Sequence, residues 1–218
     1  MLIPPAVISA SFLLWQYSPL WAEPSDNLLI KCDAPISCAL SLDGKVIGDV
    51  GPHKMKSFTA PVGQYLLGVR SSDRRFASRE YHTTISVYPH ETVEEVTVYI
   101  SIKAAVEAAQ KGTVTVRTKT EASVFSIDGK WLRWDALTNH EEWNKSGFVR
   151  TWAEDYVAAK PGVAIDVIGL AFTPGIIGTT CFVRGQFLGV EFLVGYGELA
   201  FVDQKTHVDL TSLIMCDD

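Results

Sequence analysis

The residues best suited to binding or catalysis lie together in one segment, residues 131–160. Ring faces can pack on the C–H face of a pyranose while carboxylates accept hydroxyl protons, and Trp and Tyr are also the usual anchors of protein interfaces. The segment holds the aromatic residues Trp131, Trp134, Trp143, Phe148, Trp152 and Tyr156 and the acids Asp135, Glu141, Glu142, Glu154 and Asp155. We predict a binding site formed by Trp131, Trp134, Trp143, Trp152, Tyr156, Glu141 and Glu142.

Three interpretations of this segment are open from the sequence alone. Its rings could fold back over a β scaffold as a satellite core, dock a protein partner, or bind a glycan. Long insertions on a β scaffold usually lie at loop ends and often carry function. The segment is therefore the first place to look for an activity.

Signals of an enzyme are weak. The chain has no Gly-x-Ser-x-Gly and no His-Glu-x-x-His pattern. A glycan hydrolase would need two carboxyl groups roughly 5–9.5 Å apart, and the sequence does not define such a separation. We predict no catalytic residue, no metal site and no cofactor, with a glycan hydrolase that uses carboxylates of the insertion as the alternative.

A second candidate site is a cluster of arginines in residues 70–79. Arginine guanidinium groups suit an anionic polymer or lipid headgroups, although such runs are commonly solvated turns between strands. The net charge of −6 offers no broad attraction to a phosphate backbone, so we predict no nucleic-acid partner. The cluster comprises Arg70, Arg74, Arg75 and Arg79.

The start of the chain and its cysteines predict an exported protein. Residues 1–21 carry no charge, and Ala22 precedes a polar stretch, as at the end of a signal peptide. An even number of cysteines after such a segment predicts two disulfides in a periplasmic or extracellular protein. The cysteines are Cys32, Cys38, Cys181 and Cys216. Three pairings are possible, and Cys32–Cys38 with Cys181–Cys216 keeps each bridge within one half of the chain.

A repeated pattern, Ser-x-Asp-Gly-Lys, indicates the scaffold. It occurs at residues 41–45 and 126–130, and residues 28–45 align without gaps on residues 113–130. Asp-Gly between extended apolar runs is a strong hairpin signal. A Pro/Gly turn followed by a strand also recurs, at residues 61–69 and 160–168. We therefore predict an all-β fold in two halves.

The two halves have predicted bounds and an unequal insertion. A signal peptide spans residues 1–22, a first β-sandwich residues 23–102, and a second β unit residues 113–218. Residues 103–112 are rich in helix formers and end in Lys-Gly, which predicts a short helical connector. The interval after the Asp-Gly turn is 46–60 in the first half and 131–160 in the second.

The first half resembles the PEGA module, a small antiparallel β-sandwich of exported and surface proteins. The matching residues are Ala34-Pro35, Ala39, Leu42 to Lys45, Gly48, Pro61 to Gly63 and Val69. The second half is similar only at residues 126–130 and 160–168. The resemblance implies two tandem PEGA-like sandwiches and a binding or spacer role without catalysis. The expected partner is an envelope protein or an envelope glycan, and the alternative is a purely structural envelope spacer.

The apolar, glycine-rich stretch of residues 162–183 raises a membrane interpretation. Asp166 interrupts it, and the uncharged run is marginal for a spanning helix and poor in helix formers. Two buried strands joined by the turn Thr173-Pro174-Gly175 fit the composition better. We predict no transmembrane span in the mature chain and make no prediction of oligomeric state.

Overall fold

Alternation of apolar and polar residues builds sheets along most of this chain. The computed structural model describes residues 27–76, 80–151, 155–175 and 178–216. Strands make up 52% and helices 13% of it, which confirms the all-β prediction. The predicted signal peptide, Arg79, Trp152 and Glu154 lie outside the described residues.

The first half is two sheets packed face to face. One sheet has the order β3-β2-β5-β6 and the other β4-β1-β7, with β1 parallel to β7. The strands are β1 Leu28–Cys32, β2 Cys38–Leu42, β3 Lys45–Val50, β4 Met55–Phe58, β5 Gly63–Ser71, β6 Tyr81–Val87 and β7 Thr92–Val96. Alternate residues of β1 (Leu28, Ile30 and Cys32) are buried, as a half-solvated strand requires.

A short helix leads from the first half to the second, as predicted. After β8 (Ile100–Ser101), helix α1 spans Ile102–Gln110. The Ser101 hydroxyl caps it by accepting a hydrogen bond from the Ala104 N–H at 3.1 Å. Gly112, at φ +70°, ends the turn after it. Five of its residues are buried, three of them alanines, so the helix packs closely into the core and is not a free linker.

The second half is a six-stranded sheet with two small sheets beside it. The large sheet has the order β11-β12-β10-β15-β14-β13, and β9 pairs with β16. The strands are β9 Val114–Thr118, β10 Ala122–Phe125, β11 Phe148–Arg150, β12 Val157–Ala159, β13 Asp166–Gly175, β14 Gly178–Phe187, β15 Val190–Gly195, β16 Leu199–Asp203 and β17 Ile214–Met215. Helix α2 spans His140–Lys145 within the insertion. Within the apolar stretch, residues 166–175 and 178–183 lie in strands β13 and β14, so Thr173-Pro174-Gly175 belongs to β13 and not to the turn predicted there. No helix in the described ranges has the length and apolarity needed to span a bilayer.

The two Asp-Gly motifs close two different hairpins. In the first, Leu42 pairs with Lys45 and both Asp43 and Gly44 have positive φ, which is a two-residue type I′ turn. In the second, the Ser126 N–H donates to the Lys130 carbonyl at 2.8 Å, so the loop is longer by one residue. The same five-residue pattern therefore gives registers that differ by one.

Beyond this hairpin, the equivalent strands of the two halves pair with different neighbours. Strand β1 has β7 as a parallel neighbour, whereas its counterpart β9 has β16 as an antiparallel one. Strand β5 pairs with β2, but the matching segment after Pro161 first contacts β9, where the Ile165 N–H donates to the Val116 carbonyl at 2.9 Å. The sequence repeat therefore describes a shared strand-turn-strand start rather than two equal topologies.

Three features join the halves. Strands β8 and β17 pair in parallel, so the end of the chain returns to the first half. Arg75 of the first half lies 2.8 Å from the carboxylate of Asp203 in β16, which is 1% exposed. Buried side chains from both halves form one hydrophobic cluster. The disulfides are Cys32–Cys38 and Cys181–Cys216, which confirms the predicted arrangement.

Candidate functional site

The insertion of the second half leaves and rejoins the sheet at one place. After the hairpin, the Trp134 N–H donates to the Asp155 carbonyl and the Val157 N–H donates to the Leu132 carbonyl, both at 2.8 Å. Between these contacts lie a single 3₁₀ turn (Trp134–Ala136), helix α2 and strand β11. Its two ends are therefore held by backbone hydrogen bonds, so the insertion is part of the folded body.

The insertion buries two of the tryptophans that we predicted to contact a ligand. Trp143 on α2 is fully buried, with its ring edge-to-face on Phe148, Phe187 and Phe192 at centroid distances of 4.8, 5.0 and 6.2 Å. Trp134 is 8% exposed. The assignment of both as contact residues is corrected: large rings gain most by leaving water, and here they fill the space between α2 and the sheet.

His140 explains why Trp134 is shielded. Its ring stacks on Trp134 at 5.2 Å, and its Nε2 lies 2.9 Å from the Trp134 carbonyl. The His140 ring therefore covers Trp134 at the surface of the insertion.

Four aromatic rings at the surface form a row, here called the aromatic column, made of Tyr156, Trp131, Phe125 and Phe182. Trp131 stacks on Tyr156 at 5.4 Å and packs against Phe125 at 4.7 Å, and Phe125 meets Phe182 edge-on at 5.7 Å. Trp131 is 43% exposed. Its neighbours in the column are partly exposed. The column runs across the solvent face of the six-stranded sheet.

Strand alternation places the column on that face. Val124 and Val183 are buried, so their neighbours Phe125 and Phe182 point to the opposite side of the sheet. Phe182 lies opposite Gly195 of β15, which has no side chain to separate it from Phe125. Sequence reasoning missed both phenylalanines because they lie outside the insertion. Their position just beside buried β-branched residues was the available signal.

The described acids of the insertion are paired with cations. On α2, Lys145 contacts Glu141 at 2.8 Å and Glu142 at 3.3 Å. Arg133 holds Asp135 at 3.0 Å, and this contact lowers the pKa of the Asp135 carboxyl. Glu141 and Glu142 are exposed on one face of α2 with Lys145 as their shared partner, and their contact with a ligand stays a prediction.

Asp155 links the base of the insertion to two arginines. Its carboxylate lies 2.5 Å from the Arg150 Nε and 3.5 Å from the Arg133 guanidinium. Arg133 and Arg150 therefore flank the Tyr156 end of the aromatic column with mixed charge. Such a rim resembles the polar surround of a protein interface.

The arginine cluster is divided among different environments. Arg75 makes a bidentate contact with Asp73 and also reaches Asp203, and the hydrogen bonds from Arg75 lower the pKa of Asp73. Arg70 and Arg74 are exposed. Arg75 of the predicted anionic-ligand patch thus has two carboxylate partners, one of them in the second half, and its contact with an anionic ligand stays a prediction.

A buried carboxylate oxygen gives this region a testable pH dependence. One oxygen of Glu198, in the turn before β16, is buried and has no hydrogen-bond partner within the described part of the chain. Burial raises the pKa of this carboxyl above 4.5, although the Ser123 N–H opposes the shift. The folded state thus holds the proton more tightly than the unfolded state, so stability falls as pH rises through 4.5 toward the raised pKa.

We expect Glu198→Gln to raise the melting temperature at pH 7, because it removes the charge that burial disfavours. At pH 4 the native carboxyl is largely protonated, and the gain should shrink. Thermal unfolding at the two pH values measures this difference. Glu121→Gln, at an exposed position, is the control and should shift neither value. An equal gain from Glu198→Gln at both pH values would contradict the burial argument.

The described residues contain no group of three or more His, Cys, Asp or Glu placed to hold a metal ion. Comparison of the chain with protein-family models, with curated proteins and with solved structures found no match. The arrangement of the site is therefore the basis for a functional proposal.

Proposed function

We propose that this protein is a non-catalytic binding module of the cell envelope that recognises a protein partner through the aromatic column. The observation that carries the proposal is the row of four contacting rings on a solvent-facing sheet, with Trp131 43% exposed at its centre. Tyr and Trp supply large contact areas at low entropic cost and are enriched at interface hot spots.

The stacking favours a protein partner over a glycan. A sugar packs on an open ring face, but the ring of Trp131 is already in contact with the rings of both Tyr156 and Phe125. The column therefore presents mainly ring edges, which suit the aliphatic and aromatic side chains of another protein. Arg133 and Arg150, each shared with Asp155, supply a polar rim.

The glycan hydrolase alternative receives less support. Each of the four described acids of the insertion has a cationic partner within 4 Å, either Lys145, Arg133 or Arg150. A hydrolase of the usual kind needs one carboxyl whose pKa is raised so that it can act as an acid. The pKa of Asp135 is instead lowered by Arg133.

Two further observations agree with a binding module that is located in the periplasm or outside the cell. The two disulfides suit an oxidising compartment. The similarity of the first half to PEGA modules points to binding rather than catalysis. Under this proposal the second half, where the insertion lies, carries the recognition surface.

The proposal is tested by replacing Trp131 with a photo-crosslinking phenylalanine analogue and by the variant Trp131→Ala. We expect a specific envelope protein to crosslink at position 131 and its capture to fall roughly tenfold or more in Trp131→Ala, as for an interface hot spot. The crosslinked protein and the amount of partner captured are both measured by mass spectrometry after each variant is incubated with the envelope fraction of the native cell.

Tyr88→Ala is the matched control, because Tyr88 is 56% exposed on the first half and lies outside the column. It should leave capture unchanged. Recovery of the same partners by Trp131→Ala would reject the column as the recognition surface. If glycosidases release the captured material and no protein is crosslinked at position 131, the partner is a glycan instead.

A further inference from the structure

Strand β6 lies at the edge of its sheet and lacks the residues that usually protect such an edge. Among the described residues its neighbour in the sheet is β5, and its other side lacks a strand partner. Its seven residues, Tyr-His-Thr-Thr-Ile-Ser-Val, include no Asp, Glu, Lys, Arg or Pro. An exposed edge presents a row of unpaired N–H and C=O groups, which pair readily with another extended chain.

The other edges of the three sheets with three or more strands, within the described ranges, carry features that discourage pairing. Strand β4 contains Lys56, β7 contains Glu94 and Glu95, and β3 contains Lys45 and Asp49. Strand β11 is three residues long and ends in Arg150. Strand β13 has a bulge after Val167 and a proline at Pro174, and Gln110 of α1 donates to its Ile168 carbonyl at 2.8 Å. Strand β6 is the long edge without such protection.

A cleft opens at the N-terminal end of β6. Its volume is about 250 Å³, and its walls include Tyr81, Tyr99, Ile100 and Met215, with Glu80 and His82 beside them. The rings of Tyr81 and Tyr99 meet edge-on at 5.7 Å. Tyr81 is 50% and Met215 47% exposed, so the apolar walls face solvent.

The size and placement of the cleft fit one large side chain. Pockets for drug-sized ligands usually enclose about 300–1,000 Å³, so this cleft is smaller than a typical small-molecule site. It is continuous with the free edge of β6 through Tyr81. Recognition by strand addition combines these parts: main-chain hydrogen bonds give affinity, and a pocket for a side chain gives selectivity.

The carboxylate of Glu80, beside the cleft, determines which type of residue is favoured next to the apolar anchor of such a peptide. Glu80 is held by the Ser41 hydroxyl, which donates to its Oε1 at 2.6 Å. This carboxylate lies over Gly68, where any side chain would collide with it. A fixed carboxylate next to an apolar cleft favours a basic residue adjacent to the apolar anchor.

We propose that β6 binds an extended peptide of a partner protein by strand addition, with a large apolar side chain in the cleft and a basic residue facing Glu80. This site is separate from the aromatic column and lies in the first half. The occupant is an extended chain because a row of backbone donors and acceptors matches that geometry. Met215 of β17 brings the C-terminal end of the chain into the wall of the cleft.

The test uses blocked heptapeptides of alternating Thr and Val that carry a Trp, Tyr or Leu anchor with Lys beside it, in both chain directions. We expect at least one to bind the wild-type protein with a dissociation constant on the order of 0.1 mM, and to slow amide hydrogen exchange across β6. Methylation of alternate peptide nitrogens should abolish binding, because it removes the main-chain donors.

Met215→Trp, which fills the cleft, should weaken binding of the Trp-anchored peptide roughly tenfold, a loss that corresponds to about 1.4 kcal/mol. Met55→Trp is the matched control, since Met55 is 50% exposed on the edge strand β4, and it should have no effect. The proposal is overturned if no peptide protects β6 at about 1 mM, if methylated peptides bind equally well, or if the two tryptophan variants behave alike.

Discussion

Trp143→Ala should be among the most destabilising single substitutions in this protein, lowering the free energy of unfolding by about 4 kcal/mol. Trp143 is fully buried and packs edge-on against three phenylalanines, Phe148, Phe187 and Phe192. Removing the indole loses its transfer free energy and leaves a cavity that these rings close only in part. Urea unfolding followed by circular dichroism measures the loss.

Two variants separate packing from other causes. Trp131→Ala, at a ring 43% exposed, should cost about 1 kcal/mol or less. Trp143→Phe should recover much of the stability, because the indole N–H has no acceptor within the described residues and little hydrogen bonding is lost. A Trp143→Ala protein as stable as Trp131→Ala would contradict the packing described for α2.

The difference between Trp143 and Trp131 divides the insertion into rings that stabilise the fold and rings that are exposed for contact with a partner. Trp143 attaches α2 to the sheet and Trp134 is buried beside His140, whereas Trp131 and Tyr156 lie at the surface beside the strands that the insertion leaves and rejoins. The satellite-core interpretation and the interface interpretation are thus each supported by different rings. Ligand loss in a quadruple tryptophan variant would therefore mix unfolding with loss of contact, whereas Trp131→Ala isolates the second.

Local patterns predicted much of the fold. Period-two alternation in β1 and β9, the Asp-Gly hairpins, the alanine-rich α1 and the pairing of the cysteines each depend on residues close in sequence or on a simple count. Such features are determined by backbone propensity and turn chemistry, which act over a few residues. They were readable without knowledge of the tertiary structure.

Long-range choices were not readable in the same way. The Asp-Gly motif accepts either a two-residue or a longer turn, so it did not determine register. Whether β1 or β9 takes a parallel or an antiparallel neighbour depends on segments sixty or more residues away. The burial of Trp143 and the contact of Arg75 with Asp203 also depend on residues far away in the sequence. The residues next to Trp143 and Arg75 in the sequence do not indicate these partners.

The second large effect concerns the two disulfides. Replacing both cysteines of Cys181–Cys216 with alanine should lower the free energy of unfolding by about 4 kcal/mol, because a bridge across 35 residues restricts the unfolded chain strongly. The same change at Cys32–Cys38, which spans 6 residues, should cost less than about 3 kcal/mol. Denaturant titration of the two double variants gives the order.

The longer bridge should also have a local effect that the shorter one lacks. Cys216 follows β17, a strand of two residues that pairs with β8 and supplies Met215 to the cleft beside β6. The bridge to Cys181 is a covalent attachment next to this short strand, and without it we expect faster amide exchange in β8 and β17 and weaker binding of the heptapeptides. Equal exchange in both double variants would show that β17 is held by packing of Ile214 alone, and the cleft would then be independent of the disulfide.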